Sequence, residues 1–479
     1  MKELLLRALD TARKRGATYA DVRFVHTLTQ SVQVKNGRVE AVNSEESSGF
    51  GIRVIANDGW GFAASSRLNA REVDAVAATA VRIAKASSSV HRRPVEIGDS
   101  LAVRGSYATP VRREPLAVSL AEKVDLLVRA TEVMAKVPLV KVAEAGCDVI
   151  KTTKTFASTE GSYIEQELCE TGCGISATAV GSGELQTRGY PMSTGRHQAS
   201  KGWEFVEELD LLGNAPRVAE EAVALLTARQ CPTAVTTVIL DGGQTALQVH
   251  ESCGHPVELD RVFGTEAAYA GTSFLTLDKL GSFRYGSELV NINIDATLPG
   301  GLGTFGYDDE GVPAQRAQMV KDGILVGYLT SRESAARLGQ RSNGAARAAG
   351  WEHIPLIRMT NVNLEPGPWR LADLIADTER GIYKETNRSW SIDDRRLNFQ
   401  FGTEYAREIK DGKLGNLLKN ATYTGMTPQF WGACDAVCGG AEWQVWGIPN
   451  CGKGQPEQVG HVGHGAAPAR FRNIQVGLA

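Results

Sequence analysis

No stretch of this 479-residue chain approaches the ~18 consecutive apolar residues that a membrane-spanning helix requires, so no membrane segment is expected. Nor is there a surplus of positive charge. The 52 lysines and arginines face 55 acidic residues, giving a net charge of −3, which argues against direct nucleic-acid binding. The N-terminal Met1-Lys2-Glu3-Leu4-Leu5-Leu6-Arg7 lacks the unbroken apolar core and cleavage site of a signal peptide. Cysteine is sparse: eight residues, scattered, which excludes a compact secreted disulfide framework and points to reduced thiols in the cytoplasm. What is abundant is glycine, 51 residues without a collagen period, which predicts many tight turns between short strands.

The length allows about two to four domains. A helix is expected over roughly the first 16 residues, with Leu5, Ala8, Leu9 and Ala12 on one face and Gly16 as its stop. Alternation at Val22/Phe24 and Val32/Val34, the Asn36-Gly37 turn, and Ile52/Val54 predict an antiparallel meander. Asn69 with Glu72, and Ser119 with Glu122, open two further helices as capping boxes. The polar stretch 87–118 reads as a sub-boundary. Helix followed by meander occurs twice, a hint of duplication. A further helix at Asn214–Arg229 leads to an apolar strand, Val235–Leu240, and a strand-rich remainder. The fold class is therefore α+β. An N-terminal helix-and-meander region, 1–230, is followed by a larger β-rich domain, 231–479.

One segment carries recognisable chemistry: His250-Glu251-Ser252-Cys253-Gly254-His255-Pro256-Val257-Glu258-Leu259-Asp260. Two neutral imidazoles can hold zinc, and an adjacent Glu can take a proton from water activated by the metal. The histidines are five residues apart, about 140° around an ideal α-helix, so a regular helix would separate them. A single π-turn would bring them to one face; Gly254 would ease it and Pro256 would end it. A catalytic zinc needs a third protein ligand. Glu258, Asp260, Cys434, Cys438, Cys451, His461 and His464 are candidates. Cys451 is attractive because it is a potential thiolate in a glycine-rich loop, Ile448 to Pro456.

These residues resemble the metal motif of the TldD/PmbA family. Ala268–Phe274, Gly303–Gly311, Pro449–Gln455 and the ending Val462–Gly465 with Arg470-Phe471 are similar as well, in the same order. The resemblance implies a cytoplasmic zinc metallopeptidase of the catalytic TldD type. His250, His255 and Cys451 would hold one zinc ion and Glu251 would be the general base. Asn450 and His464 are expected to contact substrate. The implied substrate is an unfolded peptide, held extended in the cavity of a dimer formed with a second copy or with a metal-less TldE/PmbA-type homologue. Ser252, where Ala is expected, and Ala466-Ala467 depart from the pattern without touching a proposed ligand.

Other readings stay open. A non-catalytic modulator with a structural metal would show a closed four-ligand site. A zinc amidohydrolase acting on a small molecule would show a narrow pocket. The Cys434/Cys438 pair reads as buried small side chains, and Asp308-Asp309-Glu310 as a solvated turn.

Overall fold

The computed structural model describes residues 1–90, 93–181, 183–192, 196–454 and 457–477. The N-terminal region is built on two long hairpins. β1 (Tyr19–Lys35) and β2 (Arg38–Ala56) meet at Asn36-Gly37, both with positive φ, as that turn type requires. β3 (Gly59–Ser65) continues the meander. After the short β4 (Arg104–Ala108) come β5 (Val140–Ser158) and β6 (Tyr163–Gly181), then β7 (Glu184–Tyr190) and β8 (His197–Ala199). All eight belong to one sheet, with β1 and β5 antiparallel at its centre.

The glycine content pointed to short strands. Here that expectation is wrong: β2, β5 and β6 run for 19 residues each. Part of the glycine instead permits close approach. A Cβ on Gly61 would lie 2.0 Å from the Ala80 carbonyl oxygen of the helix packed on it.

Four helices cover one face of this sheet: α1 (Lys2–Lys14), α2 (Ala70–Ser87), α3 (Leu120–Ala135) and, after the five-residue α4 (Glu204–Glu208), α5 (Leu211–Thr227). Asn69 and Ser119 cap α2 and α3 by accepting from the amides of Glu72 and Glu122. Each hairpin has its own helix pair and core. Val22 and Ile52 pack with α1 and α2; Val32, Val34 and Ile175 pack with α3 and α5. The order helix, hairpin, short strand, helix thus occurs twice around the β1–β5 pairing.

The opposite face of β1 meets the C-terminal part. Arg53 bonds Asp21 beside it and Glu310 across the contact, at 2.7 and 2.8 Å. Lys154 reaches Asp309 at 3.3 Å, and Asp308 accepts from the amides of Glu310, Val312 and Ala346. The solvated turn expected at Asp308-Asp309-Glu310 is therefore a correction. All three carboxylates are buried, because cations on the facing sheet and local amides satisfy them.

In the C-terminal part, Arg380–Ile392 pairs with both Ala234–Leu240 and Asn398–Lys410, so a five-strand path closes on itself. Phe401, Tyr423, Phe430 and Phe471 fill its core. All eight cysteines are free and buried. No helix among the described residues is long and apolar enough to cross a membrane.

Candidate metal centre

The strand Ala234–Leu240 leads into α6 (Gly242–Val249), whose N-cap Asp241 accepts from the Gln244 amide at 2.7 Å. At His250 the helix widens. His250–Gly254 forms one π-turn, and the His255 amide donates to the His250 carbonyl, five residues back. The wide turn brings the two imidazoles to a centroid separation of 4.8 Å.

Gly254 serves this turn through space. Its φ is −74°, but a Cβ there would lie 2.1 Å from Met359 Sδ. Ser252, the departure from the family pattern, clamps the same turn. It accepts from Trp431 Nε1 at 2.8 Å and Gln248 Nε2 at 3.0 Å, and donates to the Gln248 carbonyl.

Cys451 lies on a strand, not in a glycine loop. Gln444–Lys453 pairs with Gln458–Ala466 as a hairpin, and a register shift between Ile448 and Cys451 accommodates Pro449. Gln455 and Pro456 fall outside the described residues. The hairpin brings Cys451 Sγ to 3.5 Å from His255 Nε2. Donor atoms of His250, His255 and Cys451, all buried, lie within 4.8 Å of one another.

The network behind the histidines fixes their tautomers. His464 Nδ1 faces the Val362 carbonyl at 3.0 Å and must donate to it, leaving its Nε2 as an acceptor. His250 Nδ1, 2.8 Å away, therefore donates to His464. His255 Nδ1 donates to Glu258 Oε2 at 3.0 Å. Both ligand candidates thus keep Nε2 unprotonated for a metal, the arrangement in which a polar partner orients each metal-binding histidine. Burial keeps all three imidazoles neutral: it lowers His255 to about 3 and His464 to about 4, and lowers His250 as well. Burial would raise Glu258, but Lys453 and His255 hold it well below the usual carboxylate range.

Two imidazole nitrogens and one sulfur make a donor set suited to zinc. Ordinary Zn–N and Zn–S distances at a tetrahedral angle place nitrogen and sulfur about 3.5 Å apart, and His255 Nε2 and Cys451 Sγ are 3.5 Å apart. Burial pushes the Cys451 thiol up to about 11, so a bound metal would have to displace its proton.

Glu251 points into a cavity of about 560 Å³ that also exposes His250, His255 and Cys451. Arg196, Met192, Leu247, Trp390, Arg396 and the Gly447–Gly452 edge of the hairpin complete much of its wall. Arg396 Nη1 holds Glu251 Oε2 at 2.5 Å. Burial raises the Glu251 carboxyl, and the guanidinium of Arg396 opposes that rise.

The remaining candidates separate cleanly. Asn450 is exposed and lines the cavity. His464 is fully buried behind His250 and does not line it, so the substrate contact expected of it is corrected to a support for His250. Glu258 lies behind His255 and Asp260 against Lys453, while His461 pairs with Glu170. Cys434 and Cys438 are in separate packing.

Sequence reasoning did not anticipate Arg396, Lys453 or the orienting place of Glu258. Glu258 had a local signal, three residues after His255; Arg396, 145 residues from Glu251, had none.

Comparison with known proteins identifies the family. Three family models described as PmbA/TldA metallopeptidase match in order: domain 1 at residues 20–84, the central domain at 113–230 and the C-terminal domain at 233–477. A metalloprotease of Methanocaldococcus jannaschii is 30% identical, over 93% of this chain and 94% of its own. One from Methanothermobacter thermautotrophicus is 31% identical, over 96% and 95%. A zinc metalloprotease TldD homologue of Saccharolobus solfataricus is 23% identical, over 90% and 91%.

Among solved structures, TldE from Thermococcus kodakarensis shares the fold with a TM-score of 0.76 at 15% identity, over 99% of this chain and 100% of that one. A Thermotoga maritima protein described as a candidate modulator of a DNA gyrase gives 0.78 at 18%, over 99% and 100%. With all three family models matched across most of its length, this chain belongs to the PmbA/TldD metallopeptidase family.

Proposed function

We propose that this chain is a zinc-dependent peptidase that hydrolyses peptide bonds in unfolded or extended peptides. The observation that carries the reading is the convergence of His250, His255 and Cys451 beside Glu251 at the wall of one cavity. His250, His255 and Cys451 would hold the ion, each histidine through Nε2. Zinc, when bound, supplies Lewis acidity that polarises the scissile carbonyl and lets water attack at neutral pH.

Glu251 takes the proton of the attacking water on its carboxylate and returns it to the leaving amine. His464 and Glu258 hold the imidazole planes. The backbone of Gly447–Gly452 lies along the cavity, so an extended peptide can add to that strand edge while a compact protein cannot. Asn450, exposed on this edge, is placed to bond the added backbone.

The set of three ligand side chains, with His464 committed to His250, favours an open site over a closed structural one. A second copy or a TldE-type homologue is the proposed partner, and the cytoplasm the proposed compartment.

Zinc-loaded protein should cleave an unstructured peptide, lose that activity to a chelator, and regain it with zinc. Cleavage that survives complete metal removal would refute the reading.

A further inference from the structure

Arg396 has a place in the cavity that the hydrolytic scheme above does not use. It stands in the turn between Arg380–Ile392 and Asn398–Lys410, at a φ of +63°. The turn is held firmly: the Arg396 amide donates to the Asp393 carbonyl at 2.9 Å, and Thr427 Oγ1 donates to the Arg396 carbonyl at 2.8 Å. The guanidinium is held less completely. Nη1 bonds Glu251, while Nε is buried with no hydrogen-bond partner. A buried donor left unmade disfavours the pose that contains it.

Among the described residues, the charged side chains lining the cavity are Glu251, Arg196 and Arg396. Arg196 is already paired with Asp148 at 3.1 Å, outside the lining. Glu251 is the acid that neutralises Arg396, yet Glu251 must be free to accept a proton. A ligand that freed it would have to replace it on the guanidinium. The group that matches a guanidinium fork best is another carboxylate.

We propose that Arg396 is the receptor for a carboxylate carried by the peptide beside the scissile bond, and that binding this carboxylate releases Glu251 for proton transfer. The substrate class is therefore a peptide with an anionic group next to the cleaved bond, either a free chain terminus or an Asp or Glu side chain. The inference rests on the peptidase reading above.

The test uses zinc-loaded full-length protein and three unstructured peptides that differ only in the anionic group beside the cleaved bond. One has a free terminal carboxylate and no acidic residue. The second is amidated and carries one Asp or Glu beside the bond; the third is amidated and neutral.

At least one of the first two should be cleaved with a kcat/KM about 10-fold or more above the third. Arg396→Gln should erase that preference, Arg396→Lys should keep part of it, and Arg196→Gln should leave it intact. Zinc content and circular dichroism of each variant, matched to the parent, exclude misfolding as the cause.

Equal cleavage of all three peptides overturns the proposal. So does a preference that survives Arg396→Gln, or one that Arg196→Gln abolishes. If none of the three is cleaved, with or without chelator, the peptidase reading itself falls.

Discussion

Around Leu127, Ala130 and Met134 the N-terminal interior is apolar and regular, whereas close to Cys451 the interior holds Glu258, Arg261 and Lys453 with no solvent exposure at all. The first region stabilises itself mainly by area: alanine-rich helix faces lie on a valine-rich sheet, and the charges buried there are few, with Lys123 on Gln30, Arg188 on Glu221 and Glu204 on backbone amides. The second gives up part of that stabilisation. Burying ions costs several kcal/mol each before pairing, and the pairing around Glu258 is imperfect. Its Oε2 sits 3.0 Å from His255 and 3.4 and 3.5 Å from Lys453 and Arg261, while its Oε1 has no partner. A core built for stability alone would not look like this. These charges fix imidazole orientation, so the half with the candidate metal centre is expected to lose function before fold, and the N-terminal half the reverse.

The contrast can be broken or sharpened by substitution. Glu251→Gln should reduce peptide hydrolysis by ~10²–10⁴-fold while zinc content stays at the parent level; retained hydrolysis would remove Glu251 from the scheme. Leu127→Ala, in the apolar half, should cost roughly 2–5 kcal/mol in denaturant unfolding without altering zinc affinity. A fall in zinc affinity there would mean the two halves are not separable. Glu258→Gln should weaken zinc binding by roughly 10–100-fold in a competition titration, because His255 loses its anionic support. An unchanged affinity would show that the buried carboxylate does not tune the ligand.

A pH-dependent effect is expected at Asp241, the cap of α6. Burial pushes its carboxyl up to about 7. The folded protein therefore holds a proton that the unfolded chain has released, and this group's contribution to stability falls as pH rises from about 4 to about 7. Asp241→Asn keeps the capping oxygen. Its unfolding free energy relative to the parent should rise from near zero at pH 4 to on the order of 4 kcal/mol at pH 8. A difference independent of pH would show that the buried cap is not the cause.

The same division governs what could be read from the sequence. In the N-terminal half the signals are local: Asn36-Gly37 turns the chain, and Asn69 and Ser119 cap helices in the positions expected. Strand length was not legible there. Most of Arg38–Ser47 is exposed, so alternation fades although pairing continues to Lys35–Arg38.

In the C-terminal half the five-residue spacing of His250 and His255 forecast the π-turn, because helix geometry leaves few ways to bring them together. Cys451, 196 residues from His255, stayed one candidate among several until the family resemblance singled it out. Arg396 and the cations meeting Asp309 and Glu310 are set by tertiary pairing across long separations, and no local pattern encodes them.

In the proposed centre two imidazoles and one thiolate hold a single zinc ion with a position left open. Anomalous diffraction at the zinc edge from crystals of the native protein tests it most directly. One strong peak bonded to His250 Nε2, His255 Nε2 and Cys451 Sγ, with no fourth protein ligand, is the expected result. A fourth protein ligand, or a peak elsewhere in the chain with none beside Cys451, would contradict it.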